Sequence, residues 1–385
     1  MLEFVICLVI VSWLLVILEK RLNVMFYYLA QFSDTFFALN IFRYITFRSA
    51  MAAVTTFLFC VTLGPFFINK LKAGKIREIA KRKDCPDLDR FQHSKEGTPT
   101  MGGLFIMGGV VLAVLLWADL SNPFIVAVLF TSVWLAVLGG VDDYIKLAHR
   151  DRRGLKGTTK LFWQGILGIL IGLFIYLFPG TSTRLDIPFL KTAIVDLGVF
   201  YIPLVALIIV STSNAVNLTD GLDGLAIGCV LIVAMTLSVL SYLTGHFQFS
   251  QYLFIPYIVH AGELTVFCAA LGGASLGFLW FNCHPASIFM GDVGSLSLGG
   301  SLGVVAVLIK KELLLILLGG IFVVEALSVI LQVFSFKTTG KRLFKMSPLH
   351  HHLQISGWNE SKIIVRFWIT AIILALLTLT TLKVR

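Results

Sequence analysis

Charge is what this chain has least of. Only 14% of its 385 residues are Asp, Glu, Lys or Arg, against 57% hydrophobic residues, whereas soluble domains carry about 25% charged residues. That excludes an ordinary soluble domain and predicts an all-α integral membrane protein. Six cysteines are present, Cys7, Cys60, Cys85, Cys229, Cys268 and Cys283, and no two stand at C-x-x-C spacing. Nothing in this spacing suggests a disulfide framework or a zinc site. Most of these cysteines lie in apolar runs and read as small buried hydrophobes. Neither a G-x-G-x-x-G motif nor a P-loop occurs, so a bound nucleotide needs another scheme. There is no internal repeat and no low-complexity linker.

What the chain does have is hydrocarbon in long runs. Runs approaching a bilayer span fall at 49–69, 101–118, 123–141, 161–178, 199–216, 225–243, 261–281, 295–309, 312–334 and 363–382. They predict about ten transmembrane helices in a single polytopic domain over 25–385. A further apolar run at 2–18 is followed by Glu19, Lys20 and Arg21. It lacks the basic start and small-residue cleavage site of a signal peptide. Residues 1–24 are therefore set apart as an apolar extension, either an additional spanning helix or an interfacial one.

The net charge of +10 could suggest nucleic acid, but its distribution does not. Basic residues crowd three loops: Lys70 to Lys95, Lys146 to Lys160, and Lys337 to Lys362. The opposite loops hold only Arg184, Lys191, Lys310 and Lys311. This is the asymmetry that orients membrane proteins, with the basic loops in the cytoplasm. No nucleic-acid partner is expected.

Polar clusters then share one side. His93 to Thr100 precedes the second run, Asp142-Asp143-Tyr144 ends the third, and Asn214 to Asp223 ends the fifth. Phe289 to Ser295 opens the eighth, and Ser347 to His352 lies in the last basic loop. By the alternation of charge all five are cytoplasmic. Charge beside a membrane is costly and normally marks function. Asp220 and Asp223 are three apart, so on a helix they would share a face. The glycines after them, Gly221 and Gly224, let a ligand or another backbone approach.

Adjacent Asp142 and Asp143 repel each other unless a cation or proton relieves them. Alone they read as a solvated helix end. Beside Asp220, Asp223 and Asp292 they suit Mg²⁺, a hard cation that takes one or two carboxylates plus substrate phosphates. Lys146, Lys160 and their basic neighbours indicate an anionic phosphate substrate. His350, His351 and His352 are consecutive, which rarely points three rings at one metal. Phosphate binding or proton transfer suits them better. Asn217-Leu218-Thr219 matches a glycosylation sequon, but its cytoplasmic placement makes it a false positive. The residues alone point to Mg²⁺-dependent phosphoryl chemistry on a lipid at the membrane surface.

The strings Gly97 to Gly103, Val141 to Tyr144, Asn214 to Ala226, Phe289 to Leu296 and Pro348 to His352 resemble those of the polyprenyl-phosphate sugar-1-phosphate transferases. The last string, with Gly357-Trp358 and Val365 to Trp368, is similar to the bacterial phospho-N-acetylmuramoyl-pentapeptide branch. The resemblance runs from about Phe42 to the C-terminus. It implies transfer from UDP-N-acetylmuramoyl-pentapeptide to undecaprenyl phosphate, giving lipid I and UMP in peptidoglycan biosynthesis. It also implies Mg²⁺, a homodimer, and a multi-pass place in the bacterial cytoplasmic (inner) membrane, with the active site on the cytoplasmic side. Residue by residue, Asp292 resembles the metal ligand. Asp142 and Asp143 resemble the catalytic pair, one of them acting as base toward the lipid phosphate. Lys95, Gly221, Leu222, Asp223 and Phe289 resemble a uridine pocket. Thr100, Asn217, Asp220, Gln332 and His350 to His352 resemble groups around the phosphates and sugar, with Asn214 beside them.

Two rivals are weighed against this reading. A transferase using UDP-N-acetylglucosamine is disfavoured by the Pro348 to His352 string. A secondary transporter would place its site near the bilayer midplane, commonly between repeats, whereas these acids sit at helix ends on one side.

Overall fold

The computed structural model describes residues 26–33, 36–74, 97–148, 154–187 and 194–383. The 1–24 extension and Lys95 lie outside them. Ten helices of 15 residues or more organise the described chain: α1 (Ile45–Ala73), α2 (Gly103–Trp117), α3 (Pro123–Ala148), α4 (Gly157–Leu177), α5 (Tyr201–Thr219), α6 (Leu225–Gly245), α7 (Leu264–Asn282), α8 (Gly291–Leu308), α9 (Gly320–Thr339) and α10 (Glu360–Thr380). Among the described residues, nine helices are long and apolar enough to cross a membrane, and α2 is a shorter apolar helix. Its 15 residues rise about 22 Å at 1.5 Å each. The chain is an all-α multi-pass membrane protein.

Three boundaries differ from the hydropathy reading. The apolar run at 312–334 is not one helix. It breaks at Gly319-Gly320 into a short helix, Glu312–Leu318, and α9. Glycine is a poor helix former, and hydrophobicity alone does not register it. Helix α8 starts at Gly291 rather than 295, because its first turn is glycine and aspartate. Helix α3 runs past its apolar stretch to Ala148 and so carries Asp142, Asp143 and Lys146 on helical backbone. A two-stranded antiparallel hairpin, β1 (Arg184–Asp186) and β2 (Ile194–Asp196), lies between α4 and α5 and was not anticipated.

Helix α8 is the axis of the bundle. Its most apolar window is 89% buried, against 22% for α9. Small residues explain this, since they let backbones approach where lipid offers no hydrophobic drive. A Cβ on Gly103 of α2 would fall 2.0 Å from the Gly294 amide, and one on Gly139 of α3 would fall 2.2 Å from the Asp292 carbonyl. Ser132 and Ser301 add a buried hydroxyl contact of 2.6 Å between α3 and α8. The outer helices turn Leu207, Ile330, Phe334 and Leu376 outward, as a lipid-facing surface requires.

One end of the bundle is tied by structural charge. Buried Arg48 of α1 grips Glu263 through two hydrogen bonds of 2.7 and 2.5 Å and donates a third to the Trp117 carbonyl at 3.1 Å. Lys311 holds Asp186 of the hairpin at 2.6 Å. The motif residues gather at the other end.

Candidate active site

Helix α3 delivers Asp142 and Asp143 on its last turns, and α8 delivers Asp292 on its first. Carboxylate oxygens of all three lie within 4.8 Å of one another. Close backbone packing makes that possible: Gly139 touches the Asp292 backbone, and Gly291, at φ +74°, takes a conformation that favours glycine. A Cβ there would also strike Asp143 Oδ2 at 2.6 Å.

Two ammonium groups hold the three acids together. Lys146 Nζ lies 2.6 Å from Asp142, 3.2 Å from Asp292 and 3.5 Å from Asp143. Lys160 Nζ, from the first turn of α4, lies 2.6 Å from Asp292 and 2.8 Å from Asp142. The remaining oxygens are aimed by hydrogen bonds. Asp142 Oδ1 accepts from the Leu155 amide at 2.6 Å, and Asp143 Oδ2 accepts from the Val293 amide at 3.2 Å. Asn217 Nδ2 donates to Asp292 Oδ1 at 2.9 Å and to Ser295 Oγ at 2.8 Å. Asn214 Nδ2 donates to Gln164 Oε1 at 2.8 Å, and Gln164 in turn donates to Ser213. Counted as ionised, three carboxylates against two ammonium groups leave one formal negative charge. Hard oxygen donors so clustered could hold a hard divalent cation, and the ammonium groups already show that positive charge is accommodated there.

The other expected residues divide into groups around this centre. Thr100 stands beside Gly291. Phe289 is fixed by its backbone, donating to the Pro99 carbonyl at 2.8 Å and accepting from the Gly102 amide at 2.9 Å. Asp220 and Asp223 do not share a helix face. Helix α5 stops at Thr219, Asp220 caps it, and Gly224 at φ +78° starts α6. Asp223 instead turns to a second group, with its Oδ2 3.2 Å from His284 Nδ1 and accepting from the Ala286 amide at 3.1 Å. Its amide donates to Glu360 at 3.1 Å. Leu222 is buried, and Gly221 abuts His350.

The three histidines sit on the short helix Leu349–Ile355 and take different hydrogen-bond partners, although the His350 and His351 ring centroids lie 4.2 Å apart. His350 pairs with Glu325 at 3.1 Å, His351 with Gln354 at 2.8 Å, and His352 Nδ1 accepts from the Lys345 amide at 3.2 Å. Successive helical positions point about 100° apart, so no single ion draws all three. Gln332 spends its amide on the loop before this helix, accepting from Leu343 and Phe344 amides and donating to the Phe344 carbonyl.

Comparison of the sequence with known proteins places the chain in a family. The family described as "Glycosyl transferase family 4" matches residues 125–310, which contain Asp142 and Asp143 of α3 and all of α8. "Phospho-N-acetylmuramoyl-pentapeptide-transferase signature 1" matches residues 95–106. A phospho-N-acetylmuramoyl-pentapeptide-transferase of Pelobacter propionicus is 52% identical over 90% of this chain and 96% of its own. That of Citrifermentans bemidjiense is 53% identical with the same coverage, and that of Thermodesulfovibrio yellowstonii is 51% identical over 92% of this chain and 98% of its own. The chain belongs to the phospho-N-acetylmuramoyl-pentapeptide-transferase family.

Several residues around the centre of this transferase escaped the sequence reading. Gln164 orients Asn214 from a position that looks like an ordinary span residue, and Ser295, inside the Phe289 to Ser295 cluster but given no role there, accepts from Asn217. His284 and Glu360 face Asp223 from a loop and a helix start with no motif of their own. Glu325 did carry a signal, because it is a lone acid inside an apolar span. Among the described cysteines, Cys60, Cys229 and Cys268 are buried as expected, and Cys283 is exposed.

Proposed function

We propose that this transferase moves phospho-N-acetylmuramoyl-pentapeptide from UDP-N-acetylmuramoyl-pentapeptide to undecaprenyl phosphate, giving lipid I and UMP, at the cytoplasmic face of a bacterial inner membrane. The observation that carries the reading is the Asp142, Asp143 and Asp292 cluster bridged by Lys146 and Lys160. Acids and ammonium groups on adjoining helix ends, beside a lipid-facing surface, suit a reaction that joins a soluble anion to a lipid one. The names of the relatives supply the donor group.

An oxygen of the lipid phosphate attacks the sugar-linked phosphorus of the donor. The new P–O bond forms as the bond to the bridging diphosphate oxygen breaks, and that electron pair leaves with UMP. Bringing two anions together is the main obstacle. Lys146 and Lys160 are placed to receive phosphate oxygens, which is the positioning and charge stabilisation that phosphoryl transfer needs. Asp292, with Asp142 and Asp143, would hold Mg²⁺. That ion, when bound, supplies positive charge to the phosphates. Asn217 fixes Asp292. A lipid phosphate monoester has a second pKa of about 6, so it meets the donor largely ionised and needs little help from a base. The uridine falls to the side of Asp223 and Phe289, and the sugar to the side of Asp220 and the histidines.

Product analysis tests the donor. Purified protein offered UDP-N-acetylmuramoyl-pentapeptide and UDP-N-acetylglucosamine separately should make a lipid diphosphate product from the first alone. Product from the second alone would overturn the assignment.

A further inference from the structure

Glu325 lies within α9 and is fully buried, as is His350. Its carboxylate is engaged twice by that one residue: Oε1 accepts from the His350 amide at 3.2 Å, and Oε2 lies 3.1 Å from His350 Nδ1. A carboxylate only accepts, so this contact places a proton on Nδ1. The tautomer of a histidine is set by the partner of its other nitrogen. The nitrogen left over, Nε2, is buried and has no hydrogen-bond partner among the described residues. It faces the turn after α5, where a Cβ on Gly221 would fall 2.3 Å away. A side chain at 221 would therefore push the ring aside, and the turn that bears Asp220 is shaped around Nε2.

An acid in an apolar span is costly to keep, and this one is used on one histidine. A buried pair could serve only to dock the Leu349–Ile355 helix on α9. The orphaned nitrogen sets this pair apart from a purely structural one, since a buried polar atom without a partner is costly. We infer that Glu325 is a positioning residue for the transfer reaction, fixing the His350 ring so that Nε2 is presented at the Thr219–Gly221 turn. The inference rests on the proposed reaction, in which that turn borders the sugar and phosphates. The nitrogen has no partner among the described residues, and the group it serves is a hydrogen-bonding part of the bound substrate.

A double-mutant cycle on the full chain in lipid nanodiscs tests this, with UMP release by the unaltered protein as its control. Absence of release there strikes the proposed reaction and not the pair. Glu325→Gln should lower kcat about 30-fold, the scale of losing a supporting partner. The KM for the nucleotide and the melting temperature should stay near those of the unaltered protein. In a His350→Asn background the same change should cost no more than about threefold, because residues that act through one another are non-additive. An equal loss in both backgrounds would show that Glu325 acts independently of His350. A variant that fails to fold leaves a second measurement. Nitrogen NMR of histidine-labelled protein, with His350→Asn to assign the signal, should find Nδ1 protonated. A bare Nδ1 with the proton on Nε2 would overturn the inference without reference to activity.

Discussion

Lys160 and Asp292 stand 132 residues apart in sequence and 2.6 Å apart in space. Helix α4 supplies one and α8 the other, and the same ammonium reaches Asp142 of α3 at 2.8 Å. Three helix ends thus converge on one cationic contact. Without Lys146 and Lys160, the carboxylates of Asp142, Asp143 and Asp292 would repel one another at this range. With them the three carboxylates, counted as ionised, are offset down to one formal negative charge, which suits the divalent cation and phosphates of the proposed reaction.

Asp292→Asn removes a charged ligand while keeping the shape. Turnover should fall at least ~100-fold, because metal stabilisation of transferring phosphates is worth several kcal/mol. The protein should still insert and purify as a folded species. Near-normal turnover at saturating Mg²⁺ would remove Asp292 from the metal.

Lys160→Met should behave differently. It leaves the donor oxygens in place and makes the centre more negative, so the apparent Mg²⁺ requirement should stay the same or tighten. Turnover should nonetheless fall about 30-fold, since a charge clamp on phosphate is lost. Titration of initial rate against Mg²⁺ separates the two variants. A weakened Mg²⁺ requirement with unchanged maximal rate would contradict the role given to Lys160.

Asp142→Asn and Asp143→Asn test base catalysis. A dianionic lipid phosphate has no proton left to give up, so at least one variant should keep a measurable rate. That rate should rise as pH passes the second phosphate pKa of about 6 and then level off. The sign follows from the nucleophile: deprotonation creates the attacking dianion. Rates at the level of the no-enzyme control for both variants, with metal binding intact, would show that an obligatory base or a covalent aspartyl intermediate carries the reaction instead.

Orientation is open to labelling. Cysteines placed at Lys156 and Lys345, both exposed near the aspartate end, should react with an impermeant thiol reagent only from the cytoplasmic side. One placed at exposed Ser182 should react from outside. Exposed Cys283 must be replaced first. Labelling at Lys156 in intact cells would put the acids on the wrong face for a cytoplasmic nucleotide.

Much of this centre was legible because its chemistry breaks the pattern around it. Asp142, Asp143 and Asp292 are acids at the ends of hydrocarbon runs, and the charge of the loops places them together. The pairing of Glu325 with His350 was not legible, since 25 residues separate them and no periodicity links a span to a following loop. The separation of Asp220 from Asp223 was missed for a local reason. Their spacing fits a helix, but Gly221 and Gly224 end one helix and begin another, and only the backbone reveals which. The break at Gly319-Gly320 was hidden likewise, because apolar residues continue on both sides. Gln164 lies among span residues and shows its part only through Asn214.

The most direct test of the account is release of UMP by the purified protein from UDP-N-acetylmuramoyl-pentapeptide. Release should require both undecaprenyl phosphate and Mg²⁺, and should disappear when either is withheld. UMP release that continues without the lipid acceptor, or without any divalent cation, would contradict direct transfer at the Asp142, Asp143 and Asp292 centre.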